Sequence, residues 1–181
     1  FLTAIFANSP LLQGRPSGFK SFRNHIWQNT DDVRCGIPSS FISSAFRIQD
    51  YIDWAMDAAP YHLNRKGQEF VLTGYSFKEL IRGGHPEIKV DVDDWMDHVG
   101  MLFPEVRIKN IIEIRSMDTL MPEDVLAVPS LLKALIYDEA VFGKLESLLM
   151  DLHEEEFPWY QQVAARDGEV VDRVVLRGPD V

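Results

Sequence analysis

Apolar and charged residues roughly alternate along the chain from Val106 to Arg115. This alternation predicts a half-buried β-strand, because successive side chains of a strand point to opposite faces. One face of the strand then carries four charged side chains, namely Arg107, Lys109, Glu113 and Arg115. A face with one carboxylate and three cations is costly to bury, so the sequence predicts either a solvated face or a binding site there.

These two interpretations of the charged face stay open on pattern alone. In the first, the face is exposed to solvent and its charges form cross-strand ion pairs. In the second, Glu113 holds a metal ion, while Arg115 and Arg107 bind anionic oxygens of substrates. A carboxylate suits Mg²⁺, and a planar guanidinium suits phosphate or carboxylate.

Helical periodicity and the placing of Gly and Pro predict the other elements. Apolar positions from Phe46 to Ala58 fit an amphipathic helix, and Ser76 and Asp91 are each placed to cap the start of a helix. The adjacent Asp97 and His98 are assigned to a solvated helix face. Further predicted elements are a helix end at 2–7, hairpin strands at 61–64 and 69–73, helices at 121–137 (broken at Pro129), 140–152 and 157–166, and a C-terminal extended arm.

Composition and charge restrict the class of protein. With 181 residues, 46% of them hydrophobic and 25% charged, the chain has room for one ordinary globular domain or a large piece of a bigger one. A net charge of −10 without a basic cluster argues against nucleic acid as a partner. No apolar run approaches the roughly 20 residues of a membrane helix. Cys35 is the only cysteine, so an intramolecular disulfide is impossible and a reducing, cytoplasmic location is predicted.

Six short motifs follow one another in a fixed order along the chain. They are Ala7-Asn8-Ser9-Pro10, Gly14-x-Pro16-x-Gly18, Ser21-x-Arg23-x-x-x-Trp27, Asp31-x-x-Arg34-x-Gly36, Phe103-Pro104-Glu105-Val106-Arg107 and Glu113-Ile114-Arg115. Each motif alone is weak, but together, from about Leu2 to Asp138, they resemble the glutamate–cysteine ligases of the plant-like class, which also occur in bacteria. The stretch after Glu139 is less diagnostic.

The resemblance implies an α+β fold that is part of a glutamine-synthetase-like catalytic fold, with a curved antiparallel sheet and flanking helices. It implies ATP-dependent ligation, in which the γ-carboxylate of glutamate takes the γ-phosphoryl group and the cysteine amine then attacks the acyl phosphate. Glutamate, cysteine and ATP are the implied small-molecule partners, and Mg²⁺ is the implied cofactor. Phosphoryl transfer depends on positioning and on neutralising charge.

The resemblance also assigns roles to individual residues. Glu113 matches a metal ligand of the family, and Arg115 matches a residue on the phosphoryl oxygens. Arg107 and Arg23 match family arginines that bind substrate carboxylates or nucleotide phosphate. Arg115 and Arg107 are the two predicted catalytic residues. The predicted substrate-binding residues are Arg23, Trp27, Tyr75 and Arg34, although Arg34 is equally well explained as a structural partner of Asp31.

Two features depart from the family pattern. The chain lacks the acidic N-terminal strand with its Glu-x-Glu pair, and it has no second cysteine. It also opens on Phe1-Leu2-Thr3 without a Met, as though in the middle of a helix. We therefore expect residues 1–181 to be a single domain that is a C-terminal fragment of a larger catalytic domain, inactive alone. Open strand edges predict a homodimer, and with one cysteine the redox disulfides of plant members cannot form.

Two other functions remain compatible with the sequence. A related carboxylate–amine ligase would join glutamate to a different amine, because acyl-phosphate chemistry does not fix the nucleophile. A ligase-derived interaction domain without catalysis is the second alternative, and the presence of both Glu113 and Arg115 argues against it.

Overall fold

The computed structural model describes residues 2–43, 45–65, 67–72, 74–150 and 154–168. The α-helices are α1 Leu2–Ile5, α2 Phe22–Gln28, α3 Ile48–Asp57, α4 Phe77–Ile81, α5 Val92–Gly100, α6 Ala127–Tyr137, α7 Glu139–Met150 and α8 Phe157–Asp167. The strands are β1 Leu11–Leu12, β2 Arg15–Pro16, β3 Cys35–Gly36, β4 His62–Arg65, β5 Gln68–Val71, β6 Phe103–Pro104, β7 Val106–Ile108 and β8 Ile112–Ile114. Short 3₁₀ turns lie at Ser39–Phe41, Pro122–Asp124 and Glu154–Glu156. The predicted C-terminal arm lies outside the described residues.

Strands pair two by two throughout the described ranges. Three pairs are antiparallel hairpins, β1–β2, β4–β5 and β7–β8, whereas β3 and β6 pair in parallel. The mixed helix and strand content confirms the predicted α+β class. The described strands do not join into one curved antiparallel sheet, so the glutamine-synthetase-like form stays a prediction.

The chain contacts divide into two compact units. One unit combines the chain up to Ile26 with the chain from Ser116 onward, and the other runs continuously from Trp27 to Arg115. In the first unit, α1 and α8 pack through Ala4, Val163 and Ala164. The prediction of a single domain stays a prediction.

The continuous unit holds two small apolar cores. The first lies between α3 and the end of α5, where Ala55, Ala58 and Leu102 are buried against Trp54 and Trp95. The second lies beneath the β4–β5 hairpin and consists of Leu63, Leu72, Leu80 and Ile88. Burying such side chains stabilises each by about 1.5–3 kcal/mol relative to exposure.

The segment predicted as one strand from Val106 to Arg115 folds instead as the hairpin β7–β8. The alternation ends at the adjacent Ile111 and Ile112, and the turn is closed by a hydrogen bond from the Lys109 N–H to the Ile111 carbonyl, 2.9 Å long. Asn110, a residue type common in turns, lies at its tip. In this hairpin Arg107 stands directly opposite Glu113.

Local signals correctly predicted where two helices begin. Ser76 caps α4, because its Oγ accepts a hydrogen bond from the Glu79 N–H at 3.2 Å while the Glu79 carboxylate accepts one from the Ser76 N–H at 2.8 Å. The same reciprocal arrangement joins Asp91 and Asp94 at the start of α5. Both are capping boxes, which satisfy helix N–H groups that have no partner within the helix.

The predicted break at Pro129 is wrong. Pro129 lies in the first turn of α6, where a missing N–H is tolerated because no helical carbonyl precedes it. The interruption instead lies between the 3₁₀ turn ending at Asp124 and the start of α6 at Ala127. Within the described residues no helix is both long and apolar enough to span a bilayer.

The assignment of His98 to a solvated helix face is also wrong. His98 is completely buried, its ring stacks on Phe77 at 4.7 Å between centroids, and Nε2 lies 2.7 Å from the Ala55 carbonyl oxygen. Nε2 therefore donates its proton to that oxygen in the neutral ring. Burial lowers the pKa of His98 below its ordinary value.

This burial predicts a pH dependence of folding. A group whose pKa is lowered by folding keeps its full contribution above the unfolded pKa of 6.5 and loses it as the pH falls towards the folded pKa. The unfolding free energy of the chain should therefore decline below about pH 6.5. Urea titrations between about pH 8 and pH 5 measure this, and His98→Gln should remove that part of the slope. An unchanged slope in His98→Gln would contradict the prediction.

Candidate active site

The charged face of the β7–β8 hairpin is built around the pair Arg107 and Glu113. Arg107 Nε donates to Glu113 Oε2 at 2.8 Å, and Nη2 donates to Oε1 at 3.1 Å. This two-pronged geometry is the strongest that a carboxylate and a guanidinium can form. The hydrogen bonds from Arg107, aided by Arg115, lower the pKa of Glu113, so the carboxylate is ionised.

Arg107 is also bound from behind by the main chain. Its Nη1 donates to the carbonyl oxygens of Gly100 at 2.8 Å and Leu102 at 3.0 Å. These hydrogen bonds use four of its five N–H groups. Arg107 as a whole residue is 8% exposed, so little of the guanidinium reaches solvent. The geometry favours Arg107 as the residue that holds Glu113 in place.

Arg115 occupies the outer end of the same face. Its Nη1 donates to Glu113 Oε1 at 3.2 Å, and its guanidinium carbon lies 5.4 Å from the ring centre of Phe103 and 5.9 Å from that of Trp27. The two rings stack on each other at 5.3 Å. The distances from the guanidinium carbon to the two ring centres are within the range of cation–π attraction. The side chain of Arg115 remains 18% exposed, twice the value of Arg107 at 9%.

The structure therefore brings together four of the predicted site residues: Trp27, Arg107, Glu113 and Arg115. The first interpretation of the charged face is correct in one respect, because Glu113 forms a cross-strand ion pair with Arg107. The face nevertheless keeps one arginine that is fixed by a carboxylate and two rings and still reaches solvent. Such a group can bind an anionic oxygen without first being ordered.

Glu113 as a metal ligand has less support from the geometry. Both of its oxygens accept hydrogen bonds from Arg107, and across the described ranges no group of three potential metal-ligating side chains is assembled. Mg²⁺ prefers six oxygen ligands in near-octahedral geometry. The described residues do not by themselves fit Mg²⁺, and metal binding by Glu113 stays a prediction.

Arg34 is placed as the structural partner of Asp31. Its Nη1 donates to Asp31 Oδ2 at 2.5 Å, Nη2 and Nε donate to the Ala59 carbonyl, and its guanidinium lies 4.0 Å above the ring of Tyr61. Burial opposes ionisation of Asp31, but hydrogen bonds from Tyr61 and Arg34 outweigh it and lower the pKa of the carboxyl. Of the two roles left open for Arg34, these contacts favour the structural one.

Tyr75 lies in a different cluster from Trp27, Arg107, Glu113 and Arg115. It packs against the apolar core beneath β4–β5, and its ring meets that of His85 edge-on at 5.3 Å. Substrate binding by Tyr75 stays a prediction.

Behind the charged face lies an apolar cavity of about 230 Å³. Val106 and Ile108 line it, and since they alternate with Arg107 along β7, the cavity lies on the opposite face of the hairpin. Tyr51 also lines the cavity, and its hydroxyl accepts a hydrogen bond from the Ile108 N–H at 3.0 Å.

Arg23 belongs to the other unit, where sequence reasoning missed its neighbour Asp118. The Arg23 Nη1 atom lies 4.0 Å from Asp118 Oδ1, and the side chains are 32% and 1% exposed. Asp118 accepts hydrogen bonds from residues 97 to 110 positions earlier in the chain. No local periodicity reveals contacts of that separation, so the only sequence signal is a carboxylate three residues after Arg115.

Comparison with known proteins places this chain in a family. The sequence model of Glutamate-cysteine ligase family 2 (GCS2) matches residues 1–170. The chloroplastic glutamate–cysteine ligase of Solanum lycopersicum is 37% identical over 150 residues, which is 81% of this chain and 28% of the relative. The chloroplastic enzymes of Brassica juncea and Arabidopsis thaliana are each 36% identical over 152 residues, 82% of this chain and 30% and 29% of those proteins. The chain thus spans less than a third of the length of these relatives.

The names of the relatives contradict the predicted cytoplasmic location. Each of the three is named chloroplastic. The prediction depended on the single Cys35, and a lone cysteine indicates only a reducing environment. It does not distinguish one reducing compartment from another.

The same comparisons confirm the resemblance drawn from the six motifs. The family match includes every motif from Ala7 to Arg115 and continues through α8. With 170 of the 181 residues matched, the chain belongs to Glutamate-cysteine ligase family 2.

Proposed function

We propose that this chain is part of an ATP-dependent ligase that joins the γ-carboxylate of glutamate to the amine of cysteine. Family membership and the names of the relatives support this proposal. Because the chain spans about 30% of such a relative, the activity is proposed for the longer protein to which these residues contribute. The proposed ligation of glutamate to cysteine is the first step of glutathione-type thiol synthesis.

The proposed reaction has two group transfers. A γ-carboxylate oxygen of glutamate attacks the γ-phosphorus of ATP, the bond to the β,γ-bridging oxygen breaks, and ADP leaves. The cysteine amine then attacks the carbonyl carbon of γ-glutamyl phosphate, inorganic phosphate leaves, and the amine loses a proton. Both steps develop negative charge on phosphoryl oxygens, which fixed cationic donors stabilise.

The environment of Arg115 is the observation that supports the proposal. Its guanidinium is held by Glu113 and by the stacked rings of Trp27 and Phe103 and remains partly exposed. A planar cation fixed in this way can follow charge on phosphoryl oxygens with little reorganisation. We assign Arg115 to the phosphoryl group, Arg107 to positioning Glu113, and Trp27 to substrate binding beside Arg115.

Several finer parts of the proposal rest on the family resemblance. They are the glutamine-synthetase-like fold, the use of Mg²⁺, the binding of substrate oxyanions by Arg23, and a homodimer. The dimer has some support in the apolar tip of the β7–β8 hairpin, where Ile111 and Ile112 are 64% and 69% exposed. Exposed apolar surface of this kind is typical of protein–protein contacts.

The experiment that tests the proposal is an assay of phosphate release from ATP. The full-length protein should release phosphate only when glutamate and cysteine are both present. The isolated 181-residue chain should show no activity, because its described residues bring together too few carboxylates for Mg²⁺. Replacing cysteine with other amines tests the second candidate. Release that is faster with another amine would assign the protein to a related carboxylate–amine ligase, and activity of the isolated chain would refute the fragment expectation.

A further inference from the structure

We infer that Asp118 is a positioning residue that fixes the side chain of Arg23 for an anionic oxygen of a substrate. The inference rests on the proposed ligase function and adds to it a residue outside the six motifs. Its basis is a buried network of hydrogen bonds in the unit that contains both ends of the described chain.

The Asp118 carboxylate is enclosed by donors. Its Oδ2 accepts hydrogen bonds from the Asn8 N–H at 2.8 Å and the Ser9 hydroxyl at 2.7 Å, and its Oδ1 accepts one from the Ser21 hydroxyl at 2.9 Å. The side chain is 1% exposed. A buried carboxylate is tolerated only when donors compensate for lost water, and here each of these partners is a donor.

Two of these donors connect the carboxylate to the first turn of α2. The Ser9 Oγ accepts a hydrogen bond from the Arg23 N–H at 3.0 Å, and the Ser21 Oγ accepts one from the Asn24 N–H at 3.2 Å. Since each hydroxyl has a single proton, donation to Asp118 turns its lone pairs towards the helix. The carboxylate therefore fixes the main chain of Arg23 through one intervening hydroxyl.

The side chain of Arg23 lies at the outer limit of ion-pair distance from the same carboxylate. Its Nη1 lies 4.0 Å from Asp118 Oδ1, while the side chain as a whole is 32% exposed. One end of the guanidinium thus faces a buried negative charge, and part of the side chain reaches solvent. An arginine fixed at its main chain and oriented at its side chain loses less entropy when it binds a carboxylate or phosphate.

A double-mutant cycle in the full-length enzyme tests this inference. Asp118→Asn keeps the shape but removes the charge and sets an amide N–H₂ against donors. We expect it to raise KM for one anionic substrate about tenfold while kcat changes less than about threefold. KM measured separately for glutamate and for ATP shows whether the oxyanion is a carboxylate or a phosphate.

The decisive readout is the coupling with Arg23. If Asp118 acts through Arg23, Asp118→Asn should have almost no further effect on KM in an Arg23→Gln background. A purely structural role predicts lower thermal stability and an unchanged KM for Asp118→Asn, and it predicts losses of thermal stability that add in the double variant. This result would overturn the inference. Asp124→Asn, an exposed carboxylate of the same unit, is the matched control.

Ser9→Ala keeps the inference testable if Asp118→Asn does not fold. It removes the hydroxyl between Asp118 and the Arg23 N–H and leaves the contacts to Asn8 and Ser21. We expect KM for the same substrate to rise about threefold, and an unchanged KM would overturn the inference. Failure of the proposed function is distinguishable, because the wild-type enzyme would then show no phosphate release that depends on both amino acids.

Discussion

Arg115→Lys in the full-length ligase should lower kcat by about 10²–10³-fold, the usual loss when one oriented transition-state donor is removed. Lysine keeps the positive charge but loses the planar fork that bonds Glu113 and lies over the rings of Phe103 and Trp27. KM for ATP should change much less, because the lost contact strengthens as charge develops. Phosphate release at saturating substrates measures both quantities.

Two controls separate this effect from a loss of stability. Arg82→Lys makes the same exchange at an exposed position after α4 and should leave kcat unchanged. Thermal unfolding of Arg115→Lys should stay near that of wild type. If Arg115 only stabilises the hairpin, the melting temperature will fall while kcat of the folded enzyme stays within about threefold of wild type, and the assignment to the phosphoryl group must be abandoned.

Arg107→Met should lower the unfolding free energy of the 181-residue chain by about 2 kcal/mol, within the range for leaving buried acceptors without a donor, because the Glu113 side chain is 34% exposed and water screens its part of the ion pair. Methionine has similar length but donates no hydrogen bond, so the carbonyls of Gly100 and Leu102 lose their partner. Glu113 would keep only its contact with Arg115, at 3.2 Å.

Urea unfolding of paired variants measures this loss. Lys109→Met removes a cation from the same hairpin, and it should cost less than about 1 kcal/mol, as surface ion pairs do. A loss below about 1 kcal/mol in Arg107→Met as well would show that Arg107 does not anchor the hairpin, and it would return Arg107 to the list of candidate ligand-binding residues.

The sequence predicted the charged face by an argument that was only partly correct. Parity along a single strand put Arg107 and Glu113 on one face, and the hairpin does the same because directly opposed residues share a face. The helix starts at Ser76 and Asp91 were predictable for a simpler reason, since the residues that form each capping box are three positions apart.

Long-range burial was not predictable from the sequence. His98 lies next to the polar Asp97 in the sequence of α5, yet its ring is enclosed by α3 and by Phe77. Asp118 likewise depends on Asn8, Ser9 and Ser21, which are brought to it only by the fold. Tertiary contacts decide the environment of such residues, and composition within a short window carries no information about them.

The division of the chain into a continuous and a discontinuous unit has a consequence for synthesis on the ribosome. Asn8 and Ser9 emerge 110 and 109 residues before Asp118, which is their acceptor. At about 5–20 residues per second this separation corresponds to a wait of roughly 5–20 s. Residues 27–115 form a continuous unit, and its earlier folding would shorten the loop that must close. We therefore expect a released chain that ends after Arg115 to contain a folded central unit and an N-terminal segment that is still sensitive to protease.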